Sequence, residues 1–198
     1  MTLFEPDPTS LEELNAKGAE LGSFVSGGVR AVFGEGPLHA PIAFVGEQPG
    51  DREDLVGRPF VGPAGQLLDR ALAEAGIDRS VCYLTNAVKH FKFVPRGRIR
   101  LHQSPLASEV KHYRWWLESE LRIVAPGLVA ALGATALLAL TGRAGGVAKL
   151  RGPQTFDERP GYVTTHPSAI LRASEQRRQL DYQAFVADMR AIRQRAGL

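Results

Sequence analysis

Along the chain, short runs that are apolar throughout alternate with longer amphipathic stretches. PIAFVG (41–46), VCYLTN (81–86) and GLVAALG (127–133) have the composition of strands covered on both faces. GYVTTHPS (161–168) predicts a fourth strand running into a loop. Helical spacing fills the intervals. SLEELNAKGAE (10–20) predicts a short helix, with Ser10 or Thr9 and the following glutamates forming a capping box. GPAGQLLDRALAEAG (62–76) places Leu67, Leu68, Ala71, Leu72 and Ala75 on one face. SEVKHYRWWLESELRIV (108–124), ATALLALTG (134–142) and EQRRQLDYQAFVADMRAIRQR (175–195) predict three more helices. Strands alternating with helices imply right-handed crossovers. The predicted fold class is α/β, a three-layer αβα sandwich around a central, mainly parallel four-stranded sheet.

Length and composition narrow this. The 198 residues suit a single domain spanning 1–198, with residues 1–31 supplying an N-terminal helix and a glycine-rich segment packed on it. There is no linker-like segment and no internal repeat. Hydrophobic residues make up 44% and charged residues 23%, as in an ordinary soluble protein. No apolar run reaches membrane-spanning length, and MTLFEPDPTS lacks the features of a secretory leader. A cytoplasmic monomer is expected. The single cysteine, Cys82, excludes an intramolecular disulfide and any all-cysteine metal site.

Net charge is only +3, but its distribution is uneven. Residues 81–108 contain no Asp or Glu, yet carry Lys89, Lys92, Arg96, Arg98 and Arg100. Such a stretch is either a solvated loop or a track for phosphates. It ends in RGRIRLHQSP (96–105), which delivers one imidazole, His102.

Each predicted strand runs into a polar or glycine-rich segment: GEQPGD, TNAVKH, GATA and HPSA. In a parallel sheet these segments gather outside the carboxyl ends of the strands, where ligands bind. Glu47, Gln48, Asn86 and His166 are therefore expected to converge. Asn86 can read a polar ring edge with donor and acceptor positions. His166 can donate to a carbonyl oxygen gaining negative charge. Glu47 can orient water or stabilise a cationic centre. Phe60, among glycines in GRPFVGPAG, can stack on a planar ring. Together they suit a flipped base beside phosphate-binding arginines. Taken singly, GEQPG also reads as a turn, Asn86 as a cap, Phe60 as core, and His166 as a capped loop residue.

VGEQPGDREDLVGRPFVGPAGQLLD, YLTNAVKHFKF, LGATA and HPSAILR together resemble the uracil-DNA glycosylase superfamily, most of all its UdgX branch, which is related to family 4. The likeness runs from about Val32 to the C-terminus. It implies that Glu47 acts at the sugar, with Gln48 beside it. Phe60 stacks on uracil, Asn86 reads it, His166 supports the departing anion, and Ser168 touches phosphate. It also implies that Lys89, Arg96, Arg98 and Arg100 bind DNA, and that the partner is uracil-containing DNA, single- or double-stranded.

The branch carries a basic loop, usually spelled KRRIH, whose histidine attacks the sugar C1′ and stays attached. Arg98, Ile99, Arg100, Leu101 and His102 occupy those places. The histidine must be neutral to attack, and neighbouring arginines favour that form. Ordinary turnover is the alternative outcome. A non-catalytic DNA-binding module is a second class, opposed by the presence of Glu47, Asn86 and His166. A dinucleotide enzyme is opposed by the lack of GxGxxG and P-loop motifs.

Relatives in both branches hold a 4Fe–4S cluster, mainly through cysteines. The matching positions here are Ala19, Gly22, His90 and Tyr113, and Cys82 fits none of them. The expectation is no cofactor and no metal, with Tyr113, Trp115, Trp116, Phe24 and Phe91 tying together what the cluster otherwise ties.

Overall fold

The computed structural model describes residues 7–198; residues 1–6, which the single-domain expectation includes, lie outside the described residues. The chain opens with α1 (Leu11–Leu21), capped by Ser10, whose hydroxyl accepts from the Glu13 N–H at 3.2 Å. The glycine-rich segment then leads to β1 (Ile42–Gly46). Next come a short helix, α2 (Asp51–Val56), and α3 (Pro63–Ala75). Pro63 starts α3 in its favoured first position, and Gly76, at φ 72°, ends it in the left-handed conformation. β2 (Cys82–Asn86) follows.

The basic stretch forms a hairpin, β3 (Phe93–Arg96) and β4 (Ile99–His102), standing apart from the main sheet. α4 (Ala107–Val124), β5 (Leu128–Leu132) and α5 (Gly133–Thr141) come next. α6 (Val147–Leu150) leads into the antiparallel pair β6 (Gly152–Phe156) and β7 (Arg159–Thr164). α7 (Pro167–Arg172) and α8 (Glu175–Arg195) close the chain.

The main sheet has the order β2-β1-β5-β7-β6, parallel except for β6 at the edge. It therefore has five strands, not the expected four. The missed strand, GPQTF, opens with Gly-Pro and alternates weakly in burial, as an edge strand can. The three-layer arrangement is as expected.

Every residue of β1, β2 and β5 is buried, which explains their unbroken apolar sequence. Alternate side chains feed two cores. Ala43, Val45, Tyr83, Val129 and Ala131 pack under α1, α4 and α5. Ile42, Phe44, Leu84, Leu128 and Ala130 pack under α3, α7 and α8. Phe44 is fully buried in the second core, a burial that contributes roughly 2–3 kcal/mol. Cys82 sits in the same core, and burial pushes its thiol up to about 12, so it is an inert core residue.

From β1 the chain moves to β2 on one side and later returns to β5 on the other. The order reverses between β1 and β5, so their carboxyl ends bracket a crevice. No helix among the described residues is long and apolar enough to cross a membrane.

Candidate active site

A cleft of about 540 Å³ opens at that crevice. Glu47, Gln48, Phe60, Asn86, His102, His166 and Ser168 all line it. Residues separated by more than a hundred positions meet because four strand ends and one hairpin end at the same place.

Glu47 directly follows β1 and is the centre of the polar wall. Its Oε2 accepts the Thr135 hydroxyl at 2.9 Å, and its Oε1 lies 3.3 Å from His102 Nε2. Burial alone pushes this carboxyl up, but the hydrogen bonds from His102 and Thr135 outweigh it. The net shift is downward, so Glu47 is an anion at neutral pH. Thr135, near the start of α5, did not stand out in the sequence. A lone Thr in an apolar helix carries no signal until the helix is placed beside β1.

His166 caps α7. The Ser168 backbone N–H donates to His166 Nδ1 at 3.2 Å, which makes this nitrogen the acceptor. The Ser168 hydroxyl lies at 2.8 Å and donates to the same atom, while Arg172 donates to the Ser168 oxygen at 3.1 Å. This pattern assigns the ring hydrogen to Nε2. Burial pulls His166 down to about 4 and the Arg172 charge adds to this, against the pull of Glu47. At neutral pH the ring is a neutral N–H donor, and Arg172 joins the cleft as a residue the sequence reading missed.

Asn86 ends β2 and Phe60 precedes α3. Phe60 has φ 55°, an unusual conformation for a bulky residue and one found where a side chain must be aimed. Its ring stands over Gly46, where an added Cβ would come within 2.7 Å of Phe60 Cζ. Glu53, also unnoticed in the sequence, accepts from the Gly50 N–H at 3.1 Å and the Gly62 N–H at 2.9 Å. It fastens the loop after β1 to the loop carrying Phe60.

The hairpin explains the basic stretch. Gln48 holds both of its ends: Oε1 accepts from the Lys92 N–H at 3.1 Å, and Nε2 donates to the Gln103 carbonyl at 3.0 Å. The side chain of Gln48 is thus engaged with the hairpin, although it lines the cleft. Arg96 and Arg98 are exposed at the tip, where phosphates can reach them.

Arg100 departs from the expectation. It pairs with Asp51 and Asp54 of α2, donates to the Asp51 carbonyl at 3.0 Å, and stacks 5.4 Å from Phe91 and 5.1 Å from Phe93. It clamps the hairpin rather than pointing at DNA. Lys89 departs further: its side chain is fully buried against Glu120 and is unavailable to phosphates. Replacing Arg100 by Met removes a solvent-screened pair with Asp51 and a part-buried charge-assisted bond to Asp54, the latter worth roughly 1.5–3 kcal/mol. The expected result is faster amide hydrogen exchange across residues 93–102 with little change elsewhere.

The four positions expected to match cluster ligands lie near one another. Ala19 and His90 share one surface hollow, and Tyr113 is hydrogen-bonded to His90 Nδ1 at 2.7 Å. The donor set does not fit an iron–sulfur cluster. Ala19 and Gly22 have no ligand atom, and the His90 Nδ1 is occupied by Tyr113. Among the described residues no group of three or more His, Cys, Asp or Glu side chains could hold a metal. Of the expected aromatics, Tyr113, Phe24 and Trp116 make contacts of the expected kind. The Tyr113 hydroxyl accepts from the Phe24 N–H at 2.9 Å, Phe24 stacks on His112 at 3.8 Å, and Gly18 of α1 leaves room for Trp116.

The family model of the uracil DNA glycosylase superfamily matches residues 33–190. The chain belongs to the uracil-DNA glycosylase superfamily. A type-4 uracil-DNA glycosylase of Thermotoga maritima is 40% identical over 145 residues, 71% of this chain and 71% of that protein. One of Pyrobaculum aerophilum is 37% identical over 151 residues, 72% of this chain and 74% of its own length. This glycosylase-superfamily cleft thus combines a carboxylate, an amide, an aromatic ring and a neutral histidine donor on one wall. A second histidine arrives on the hairpin.

Proposed function

We propose that this uracil-DNA glycosylase-superfamily protein flips deoxyuridine from DNA, cleaves its glycosidic bond and captures the sugar through His102. The superfamily match and the type-4 relatives support the glycosylase part. One observation carries the capture: His102 Nε2 is 3.3 Å from Glu47 Oε1, in the cleft that also holds Asn86, Phe60 and His166.

The proposed chemistry follows from these groups. Uracil stacks on Phe60 and offers its polar edge to Asn86. The N1–C1′ bond breaks with its electron pair passing to uracil. His166 Nε2–H donates to the carbonyl oxygen where that charge collects. The sugar gains oxocarbenium character, which the Glu47 carboxylate opposes with its negative charge. Glu47 then takes the proton from His102 Nε2, and the freed electron pair forms the Nε2–C1′ bond. Water attacking the same carbon would instead leave an abasic site. The tie from Gln48 and the Arg100 clamp hold the imidazole where it competes with water. In this reading Arg96 and Arg98 meet phosphates, and no iron–sulfur cluster takes part.

Incubating the protein with a single-uracil oligonucleotide, beside His102→Ser, tests this on a denaturing gel. The expected result is a heat-stable shifted band in the wild type. The variant should lose the band and release uracil with turnover, leaving an abasic site. Uracil release without an adduct in the wild type would replace capture by ordinary turnover. Neither product at protein excess would leave only a DNA-binding module.

A further inference from the structure

Adjoining Asn86 is a group of buried polar side chains that the proposed chemistry does not use. The Lys89 ammonium donates to Glu120 Oε2 at 2.6 Å, Thr85 Oγ1 at 2.6 Å and the Asn86 carbonyl at 2.9 Å. Glu120 also accepts the Thr85 hydroxyl at 2.7 Å, the Tyr83 hydroxyl at 2.9 Å and the Gly34 N–H at 3.2 Å. All three ammonium hydrogens have partners, and the carboxylate accepts four bonds. Both charged side chains are 0% exposed.

Such a pair is a poor source of stability. Removing two charges from water offsets most of their attraction, and apolar residues of the same volume serve as well or better. A buried pair is more useful where it fixes a geometry, and here one bond of the ammonium goes to the backbone of Asn86. The next two residues are also tied: Ala87 N–H donates to the Gly46 carbonyl and Val88 N–H to the Glu47 carbonyl, each at 3.0 Å. Lys89 closes this turn from beneath by holding the Asn86 carbonyl. With that peptide held, the direction in which the Asn86 side chain leaves the backbone is set. Its other boundary is close, because a Cβ on Gly46 would collide with Asn86 Oδ1.

We infer that Lys89, held by Glu120, is a positioning residue for Asn86, and that this buried pair sets how strictly the cleft accepts uracil. The inference rests on the proposed reading that Asn86 faces the uracil edge.

The test uses the full-length Lys89→Met/Glu120→Gln variant. The amide introduced in place of the Glu120 carboxylate keeps an acceptor for Tyr83 and Gly34 and a donor for the Thr85 oxygen, so the Asn86 carbonyl loses its donor and, beside it, the Thr85 hydroxyl loses its acceptor. Four quantities are measured: melting temperature, affinity for uracil-free DNA, inhibition by free uracil, and first-turnover uracil release. Inhibition by free uracil should weaken about tenfold, the scale of one displaced polar contact. First-turnover release should slow about a hundredfold, as for a reading group misplaced by about 1 Å. Affinity for uracil-free DNA should stay within about twofold, since no exposed phosphate-facing side chain is altered. A folded variant with unchanged uracil inhibition and release would overturn the inference. So would equal loss of uracil and uracil-free DNA binding. If the double variant fails to fold, Thr85→Val removes one bond from each partner and should weaken uracil inhibition by about threefold; no change there also overturns it. Absence of uracil release from the wild type would instead sink the underlying glycosylase reading.

Discussion

Replacing His166 by Asn should slow uracil release by about two to three orders of magnitude, the usual effect of removing one donor aimed at a developing anion. In the proposed chemistry the Nε2–H of His166 is that donor, because Nδ1 is occupied by the Ser168 N–H. Asn is also a good helix N-cap, so α7 keeps its start and the loss is not one of folding. Single-turnover release and a melting curve on the same preparation separate the two. The variant should also change the acid response. An unfolded histidine titrates near 6.5, whereas burial holds His166 at about 4. Between those values the unfolded chain binds the proton first, so stability falls as pH drops through this window and is complete above it. The shift corresponds to about 3 kcal/mol. His166→Asn removes this contribution, and its stability should decline less steeply between the two pH values. An identical acid slope in both proteins would refute the assignment.

Glu120→Leu should destabilise the fold by about 3–5 kcal/mol, the result of leaving a buried charge without its partner. For a chain of this size that is roughly 10 °C in melting temperature. Lys89 would remain fully buried with only Thr85 and the Asn86 carbonyl as partners. Burial already lowers the Lys89 pKa, and the Glu120 charge and hydrogen bond act against that shift. Without Glu120 the folded protein binds that proton less readily than the unfolded chain does. Raising the pH toward 10 should therefore recover part of the loss. Denaturant titrations at neutral and alkaline pH measure this, and a pH-independent deficit would point away from the ammonium.

The convergence of Glu47, Asn86 and His166 was legible because it needs only the alternation of strands and helices. Parallel strands place their carboxyl ends together whatever the loops do. The misreadings arose where a linear pattern replaced a spatial one. Lys89 looked like part of a basic run, yet its partner Glu120 lies on α4, beyond the run of residues 81–108. Arg100 looked like a phosphate contact because Asp51 and Asp54, its actual partners, precede it by more than forty residues. The hairpin was missed because Val94, Pro95, Arg96 and Arg98 are exposed, so no apolar alternation marks it. α2 was missed because DREDLV is short and mostly polar. The Nε2–H state of His166 lay beyond the sequence altogether, since it depends on which atom Ser168 faces.

The hairpin pairs Phe93 with His102 and Pro95 with Arg100, turning at Gly97, which has φ 60°. Arg100 and His102 are two residues apart on one strand, so both side chains leave the same face. One reaches α2 and the other reaches Glu47. This makes the segment sensitive to the parity of its length. An insertion of one residue between Arg100 and His102 would turn the imidazole to the opposite face while the clamp stayed engaged. Two residues added at the Gly97 turn would leave both in place. In chimeras that keep both contacts, the arginine–histidine spacing should therefore stay fixed, because even two residues added between them would carry the imidazole about 7 Å along the strand.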